Sequence, residues 1–525
     1  MKQKYILALG LGLMSLTSCL NDLNTEPLTS QTTLASQAWS DNDAYEKFTA
    51  KIYSAYAISG NNGASSGDIV ASDQGEATFT RAYWNLQELP TDEAVMTWSD
   101  DGLNGLQFLK WTAGNRFCQL NYNRMNIINA YSNEFLINTT DDKLNERGLS
   151  DLKKDSIHVN RAEVKVLRAL SYYILMDLYA NVPFTDESTG IGSYKPEQVG
   201  RDFLFPWIEN ELKEAMNHLP EKTTNNYGKV NRYVVDMMLA NLYMNAEAYG
   251  LGAHYTEAIS YLNDIISNGG YSLESNYQWN FNADNDLSSE IIFPICYDGN
   301  FAQCYGGTTY LMAAAWKSDM TPGTTFGLSQ SWAGARVPAD LSKLFSSDDK
   351  RALFWTQDRK QEADVWNDFN HGYSVVKFTN LKRDGSAGSN PTFADTDWPF
   401  YRLADAYLLY VEAVKRGGQG GSEAQAVTLY NLIQQRAYGN NSHHIASLND
   451  ISLNDILDER ARELYWEGHR RTDLIRFDSF TNNKNWSWKN GVYGGTMKID
   501  DKYKIFPIPS TDLNANSNLK QNSGY

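Results

Sequence analysis

The chain has 525 residues, of which 42% are hydrophobic and 21% are charged, so it is neither wholly disordered nor collagen-like. Its 63 acidic residues outnumber its 46 basic ones, which gives a formal net charge of −17 at pH 7. Because such a chain repels polyphosphate, we expect no nucleic acid partner. Aromatic residues make up 13% of the chain, and we expect some of these rings to face a ligand.

The first 18 residues have the layout of a secretory signal peptide. A basic start precedes an apolar run over residues 5–16, which is too short to span a bilayer. The run ends in Leu-Thr-Ser before Cys19, which resembles a bacterial lipobox, in which the cysteine is lipidated and becomes the mature N-terminus. An ordinary cleavage site with a chance cysteine is the alternative. We therefore expect a mature domain over residues 19–525 that is held at the membrane by a lipid anchor.

Helical periodicity dominates the first half of this domain. Apolar residues recur every three to four positions and predict helices over 43–57, 116–131, 161–179, 203–219, 231–249 and 254–266. Residues 60–75 are rich in glycine, serine and asparagine, and they are predicted to form a loop. Small and aromatic residues in the last two helices are spaced as in stacked antiparallel helix hairpins, which resemble tetratricopeptide repeats.

The composition changes between residues 271 and 400. This region is rich in Gly, Asn, Asp, Thr and Trp, which predicts long loops with a few strands such as 291–295. Helices are predicted again over 401–414, 423–436 and 453–476. The expected fold is therefore all-α: a scaffold of helical hairpins over 40–270 and closing helices over 401–480 support a large irregular half, on which binding sites commonly lie.

The sequence contains no convincing catalytic motif. Residues 63–67 match the GxSxG nucleophile elbow, but they lie in a Gly/Ser/Asn loop and not between a strand and a helix. The chain has no HExxH and no phosphate-binding loop. A pair of glycosidase carboxylates has no recognisable motif among 63 acidic residues. We expect a protein that is not an enzyme, and a lipid-anchored glycosidase is the alternative.

Two Asp-x-Asp elements, 284–286 and 395–397, offer clustered carboxylate oxygens of the kind that calcium prefers. Ordinary surface turns are the alternative, because aspartate and asparagine are frequent turn residues. The spacing of an EF-hand loop is absent.

Several segments together resemble the SusD/RagB family of surface lipoproteins. They are the start of the mature chain (19–24), residues 161–173 with Asn181-Val-Pro183, residues 401–410, the Arg/Glu-rich stretch 459–474, and residues 503–509. The resemblance implies an all-α fold of four tetratricopeptide units that supports an irregular glycan-binding half, without catalysis. It also implies a place on the cell surface at the outer membrane, as the lid of a SusC-type TonB-dependent transporter. We interpret the Arg/Glu-rich stretch as buried ion pairs that tie helices together.

Within the family, the ligand loops are most similar to those of a starch-binding member. The matching segments are 73–76 with Arg81, 88–93 with Trp98, and 305–310. The resemblance implies that rings stack on the apolar face of a sugar while polar groups bind its hydroxyls. The implied glycan-binding residues are Asp73, Arg81, Met96, Trp98, Asp101, Tyr305, Leu328 and Trp332.

Three of these positions depart from the starch-binding pattern. Met96 stands where that member has a tryptophan, Asp101 stands where it has an asparagine, and its other tryptophan falls at Leu328 or at Trp332. The cargo implied is an α-glucan, either starch and its malto-oligosaccharides or a glucan of different curvature such as dextran. Another glycan or a peptide cargo is the alternative.

The same resemblance implies a structural Ca²⁺ site. Its ligands would be Asp286, Asp395, Asp397 and the backbone carbonyl of Trp398, which would join the irregular half to the helices.

Overall fold

The computed structural model describes residues 38–41, 43–189, 195–223, 226–481, 487–488, 491–495 and 499–525. The predicted signal peptide (1–18) and the predicted lipidation site at Cys19 lie outside the described residues. Within the described ranges, no helix combines the length and the apolar character needed to cross a bilayer.

Long helices form the first half of the described chain. In chain order the elements are α1 (Ala44–Ala57), α2 (Phe79–Glu88), β1 (Val95–Met96), α3 (Leu103–Gln107), α4 (Arg116–Asn138), α5 (Asp141–Glu146), α6 (Asp151–Tyr179), β2 (Val182–Pro183), β3 (Gln198–Val199), α7 (Arg201–Met216), α8 (Arg232–Met244) and α9 (Tyr255–Asn268). Helix α4 packs on α6, α6 on α7, and α8 on α9. The predicted scaffold of packed helical hairpins is confirmed.

Short elements and loops fill residues 271–400, as predicted. The elements are β4 (Ile291–Ile295), α10 (Thr308–Ala313), α11 (Pro322–Thr325), β5 (Ala335–Arg336), α12 (Ala339–Ser342), β6 (Phe354–Trp355), β7 (Ser374–Val375) and β8 (Trp398–Arg402). The closing helices are α13 (Leu403–Lys415), α14 (Glu423–Tyr438), α15 (Leu453–Leu464), α16 (Arg470–Arg476) and α17 (Ser510–Ala515). Helix α13 packs between α9 and α14, so the closing helices extend the helical scaffold.

The strands of the described residues pair as two-stranded antiparallel sheets: β1 with β5, β2 with β3, β4 with β8, and β6 with β7. In the longest sheet, Ile291 lies opposite Arg402 and Ile295 lies opposite Trp398, with irregular register on either side of Phe293. The β1–β5 sheet joins the irregular half to the N-terminal loops, and β8 of the β4–β8 sheet leads directly into α13. The all-α fold class is therefore confirmed.

Helix α6 is longer than its periodicity predicted. It begins at Asp151, ten residues before the predicted start, because the Ser150 side chain accepts a hydrogen bond from the backbone N–H of Lys153 and caps the helix. Its first ten residues bury only Ile157 and Asn160, so they carry little apolar pattern. A capping signal decided this boundary.

The prediction of one helix over 453–476 is wrong, since α15 and α16 are separate. Trp466 and Gly468 have φ values of 66° and 85°, which no right-handed helix accommodates. The Trp466 ring lies 5.1 Å from the Trp84 ring, and its indole N–H donates to the carbonyl oxygen of Glu93. Packing against a distant segment thus overrides the local helical pattern.

A buried ion-pair network joins the closing helices to the irregular half. The guanidinium of Arg402 donates to the carboxylates of Glu290, Glu463 and Glu467 at 2.6–2.8 Å. All four side chains are at most 1% exposed. The arginine guanidinium groups around Glu463 hold its pKa well below its usual range, although burial acts in the opposite direction. The interpretation of buried Arg/Glu pairs is confirmed.

Glu88 and Glu93 form a buried acidic pair. The resemblance had assigned this segment to a ligand loop. They are 0% and 2% exposed, and their carboxylates accept hydrogen bonds from the backbone N–H groups of Gly468 and Trp466. Burial raises the pKa of Glu88 well above its usual value, and the neighbouring Glu93 carboxylate raises it further. Burial also raises the pKa of Glu93, to about 7. The pair therefore secures α2 to the α15–α16 turn.

Because of this acidic pair, we expect the folded protein to be less stable at alkaline pH. Its folded-state pKa values exceed those of the unfolded chain, so the native state binds more protons and the unfolding free energy falls as pH rises through about 7. We expect a Glu88→Gln variant, which mimics the protonated form, to match the wild type at pH 5 and to unfold at a higher temperature at pH 8. Thermal unfolding measured at both pH values checks this. A wild-type advantage at pH 8 would contradict it.

Candidate functional site

An open cavity of about 740 Å³ lies where the first loops of the chain meet the irregular half. We call it the tryptophan cavity; its lining residues are Ser72, Asp73, Gln74, Arg81, Thr97, Trp98, Ser99, Asp100, Tyr305 and Trp332. Five of the eight predicted glycan-binding residues therefore lie together, although they come from segments more than 200 residues apart in the chain.

Three half-exposed rings form the apolar side of the tryptophan cavity. The indole N–H of Trp98 donates to the backbone carbonyl of Trp332 at 3.2 Å. The Trp332 and Tyr305 rings are 6.5 Å apart at an angle of 46°, and the far side of Tyr305 packs on Phe393 at 4.9 Å. The planes of the Trp332 and Tyr305 rings are thus inclined to each other, and the Trp98 ring lines the same cavity. Such rings can receive the C–H faces of successive sugar rings.

An Arg–Asp pair forms the polar side. Arg81 is 3% exposed, and its Nη1 donates to both carboxylate oxygens of Asp73 at 2.8 and 3.0 Å. Its guanidinium lies 4.8 Å from the Tyr310 ring and 5.8 Å from the Trp98 ring. The Asp73 side chain remains 50% exposed. Arg81 therefore orients Asp73, whose carboxylate is free to accept hydrogen bonds from ligand hydroxyls.

Two glycines allow the loops of Asp73 and Tyr305 to meet. A Cβ on Gly75 would lie 2.7 Å from the backbone carbon of Tyr305, and one on Gly306 would overlap the backbone of Gly75. The hydroxyl of Thr78 bonds to the carbonyl oxygens of both glycines, at 2.8 and 3.0 Å. This backbone contact brings Asp73, from the loop before α2, beside Tyr305 of the irregular half.

Backbone hydrogen bonds from residues 332–334 to residues 313–316 hold Trp332 in place. Its backbone N–H donates to Ala313 at 2.7 Å, and the N–H groups of Ala333 and Gly334 donate to Trp316 and Ala314. Pairing of β1 with β5 then places Trp98 next to this segment. The choice left open by the sequence is thus settled: Trp332, and not Leu328, lines the cavity.

Three predicted site residues need correction. Met96 and Leu328 are both 0% exposed, so neither can contact a ligand in the cavity, and both assignments are wrong. Met96 is in β1, where both residues are buried, and the cavity is lined by the next two residues, Thr97 and Trp98. Asp101 is exposed but does not line the cavity, whereas Asp100 does.

Sequence reasoning missed several polar lining residues: Ser72, Thr97, Ser99 and Asp100. Each is an immediate neighbour of a predicted site residue or of another lining residue. The only sequence feature that could have identified them is their position beside Asp73 or Trp98, in segments that lack helical periodicity.

The predicted calcium ligands are not gathered around one point. Among the described residues, no group of three acidic, histidine or cysteine side chains is arranged to hold a metal ion. Asp395 accepts from the backbone N–H groups of Gly299 and Ser389, and Asp397 accepts from Tyr297 and from the hydroxyl of Tyr227.

Some electrostatic features still suit a cation at this place. Burial, together with the carboxylates of Asp286 and Asp395, raises the pKa of Asp397 to about 7. The carboxylates are thus close enough to repel one another, although they do not form a ligand set together. Calcium binding at Asp286, Asp395, Asp397 and Trp398 stays a prediction.

The sequence matches known proteins over nearly its whole length. The SusD family model matches residues 346–525. The chain is 31% identical to the starch-binding protein SusD of Bacteroides thetaiotaomicron, over 97% of this chain and 96% of that protein.

The fold also matches solved structures. Surface glycan-binding protein A of Bacteroides thetaiotaomicron, in complex with laminarihexaose, has a TM-score of 0.68 and 20% identity over 91% of this chain and 99% of its own. A SusD superfamily protein of Parabacteroides distasonis has a TM-score of 0.72 and 20% identity over 94% and 100%. These structures establish the fold, and the full-length likeness at 31% identity establishes the family. The chain belongs to the SusD family.

Proposed function

We propose that this protein captures an α-glucan at the cell surface and delivers it to a SusC-like TonB-dependent transporter in the outer membrane. SusD family proteins bind glycans and are not catalysts. The observation that carries the proposal is the tryptophan cavity, in which Trp98, Trp332 and Tyr305 stay half-exposed beside the Asp73–Arg81 pair.

The likeness to a starch-binding relative over the whole chain favours starch, malto-oligosaccharides or dextran as the cargo. A β-glucan is the second candidate, because a structural neighbour holds laminarihexaose. Because Met96 stands where the starch-binding pattern has a tryptophan, the tryptophan cavity has one ring fewer than that pattern. This difference supports an α-glucan with a curvature unlike that of amylose, such as dextran.

Calorimetry on the soluble form (residues 20–525) tests the cargo. We expect heat of binding with maltoheptaose or with an isomalto-oligosaccharide, and none with inulin. Binding of laminarihexaose alone would overturn the α-glucan proposal and leave the family function intact. Incubation with the same glycans should release no reducing ends, since the protein is not an enzyme.

Delivery to a transporter has its own test. We expect the lipidated full chain, purified from outer membranes in mild detergent, to carry a SusC-type transporter with it. In cells without the transporter, a Cys19→Ala chain should leave the membrane fraction, since a lipid anchor is its proposed attachment. A lipid-free protein that stays in that fraction would contradict the anchor.

Gly334 allows a steric test of the tryptophan cavity. A Cβ at this position would lie 2.5 Å from Cζ2 of Trp98 and 3.0 Å from Sδ of Met96, so a Gly334→Ala variant must displace the Trp98 ring. We expect glycan affinity to fall by about tenfold, which corresponds to ~1.4 kcal/mol. In a Trp98→Ala background the same change should have no further effect on affinity.

Gly323→Ala is the matched control, because its Cβ would meet its nearest atom at an ordinary 3.5 Å. Calorimetry on the four combinations at Gly334 and Trp98, together with this control, measures the effect. Additive losses in the double variant would show that Gly334 does not act through Trp98.

A further inference from the structure

A second cavity, of about 400 Å³, lies between α1, α6 and β4 and shares no lining residue with the tryptophan cavity. We call it the tyrosine cavity. Its aromatic lining residues are Tyr53, Tyr56, Tyr227, Phe293 and Phe301. Its volume and its largely apolar walls are typical of sites for small molecules.

Two polar side chains of α6 line this cavity. Glu163 is 3% exposed; its Oε2 accepts a hydrogen bond from the Tyr53 hydroxyl at 2.9 Å, and its Oε1 has no partner among the described residues. Asn160 lies one turn earlier on the same face, is 7% exposed, and has an amide nitrogen with no partner in that part of the chain. The cavity therefore offers one unused acceptor and one unused donor.

The charges around the cavity nearly cancel. The exposed Lys229 lines the cavity and favours the ionised form of Glu163, whereas burial raises the pKa of that carboxyl. The third charged lining residue, Glu46, is paired with Lys153 at 2.8 Å. A cationic ligand would meet Lys229 and an anionic ligand would meet Glu163, so a net charge on the ligand gains little that offsets its lost solvation.

We propose that the tyrosine cavity binds a small neutral alcohol or phenol with an aromatic body. A hydroxyl group suits both side chains, because it can donate to Oε1 of Glu163 and can accept from the amide nitrogen of Asn160. An ammonium group cannot accept from Asn160, and a carboxylate would face Glu163. The aromatic walls then enclose the apolar body of the ligand.

Cys296 supplies the measurement. It lines the cavity and is an exposed free thiol, whereas Cys118 and Cys304 are buried. The probe is 2-phenylethanol, and mass spectrometry follows alkylation of Cys296 by iodoacetamide in the soluble chain. At ten times its dissociation constant the probe should slow alkylation by about tenfold. Phenylacetate, which has a similar body and a negative charge, should not slow it.

Two variants make the test specific. Glu163→Leu removes the acceptor, and Ser54→Phe fills the cavity from the half-buried face of α1; both should abolish the protection. Asp155→Leu, on the exposed face of α6, is the control and should keep it. Thermal unfolding shows whether each variant is folded.

The proposal is overturned if 2-phenylethanol fails to protect Cys296, or if protection survives in Ser54→Phe. Equal protection by phenylacetate would also overturn it, because the charge argument would then be wrong. Trp98→Ala should keep the protection whether or not it binds glycan, so failure here and failure of the proposed glycan function are distinguishable.

Discussion

A Trp98→Ala variant is expected to lose about 2 kcal/mol of glycan binding free energy, the size of an interface hot spot, which is about 30-fold in affinity. Trp98 contacts two other residues of the site. Its indole N–H bonds to Trp332, and its ring lies 5.8 Å from the Arg81 guanidinium. Removing it deletes a stacking surface and its hydrogen bond to Trp332.

Calorimetry with the best-binding α-glucan measures this loss. Trp279→Ala is the matched control: that ring is also half-buried, but it packs on Arg383 at 4.9 Å and does not line the tryptophan cavity. We expect the control to bind as the wild type does. Unchanged affinity in Trp98→Ala would remove the tryptophan cavity as the glycan site.

The second large effect concerns stability. An Arg402→Met variant is expected to lose about 3–5 kcal/mol of unfolding free energy, because it removes the one cation that three buried carboxylates share and leaves them only the other cations of the network. The three carboxylates belong to Glu290, Glu463 and Glu467, which lie before β4 and in or after α15. Arg402→Lys should recover part of the loss, since it keeps the charge but not the planar set of donors.

Equilibrium unfolding in urea, followed by circular dichroism, measures both variants. Lys47→Met is the control, because Lys47 forms an ion pair with Asp41 in which both side chains are more than half exposed. We expect no measurable change there. A loss below about 1 kcal/mol in Arg402→Met, as for an exposed pair, would show that the network does not hold the irregular half in place.

The differences between prediction and structure have a common cause. The apolar repeat of α6 is a local property, and it located the buried part of that helix correctly, but not its polar first turns. The break at Trp466 depends on contacts with Trp84 and Glu93, which lie more than 370 positions away. No local pattern carries that information.

The candidate site shows the same difference between local and tertiary information. Resemblance to a family identified Trp98, Tyr305 and the Asp73–Arg81 pair, since these side chains can be matched position by position. It also assigned Met96 to the site, although that side chain is buried. The pairing of β1 with β5 and the hydrogen bonds of the Trp332 segment decide which side chains reach the cavity.

By itself the sequence determined the helical scaffold, the irregular half and the residue types of a sugar-binding surface, because periodicity, composition and motif are read along the chain. Only the tertiary structure decided which rings are open to solvent. That depends on backbone contacts between distant segments, above all Gly75 against Gly306 and Gly334 beneath Trp98, where a single Cβ would keep the parts of the site from meeting.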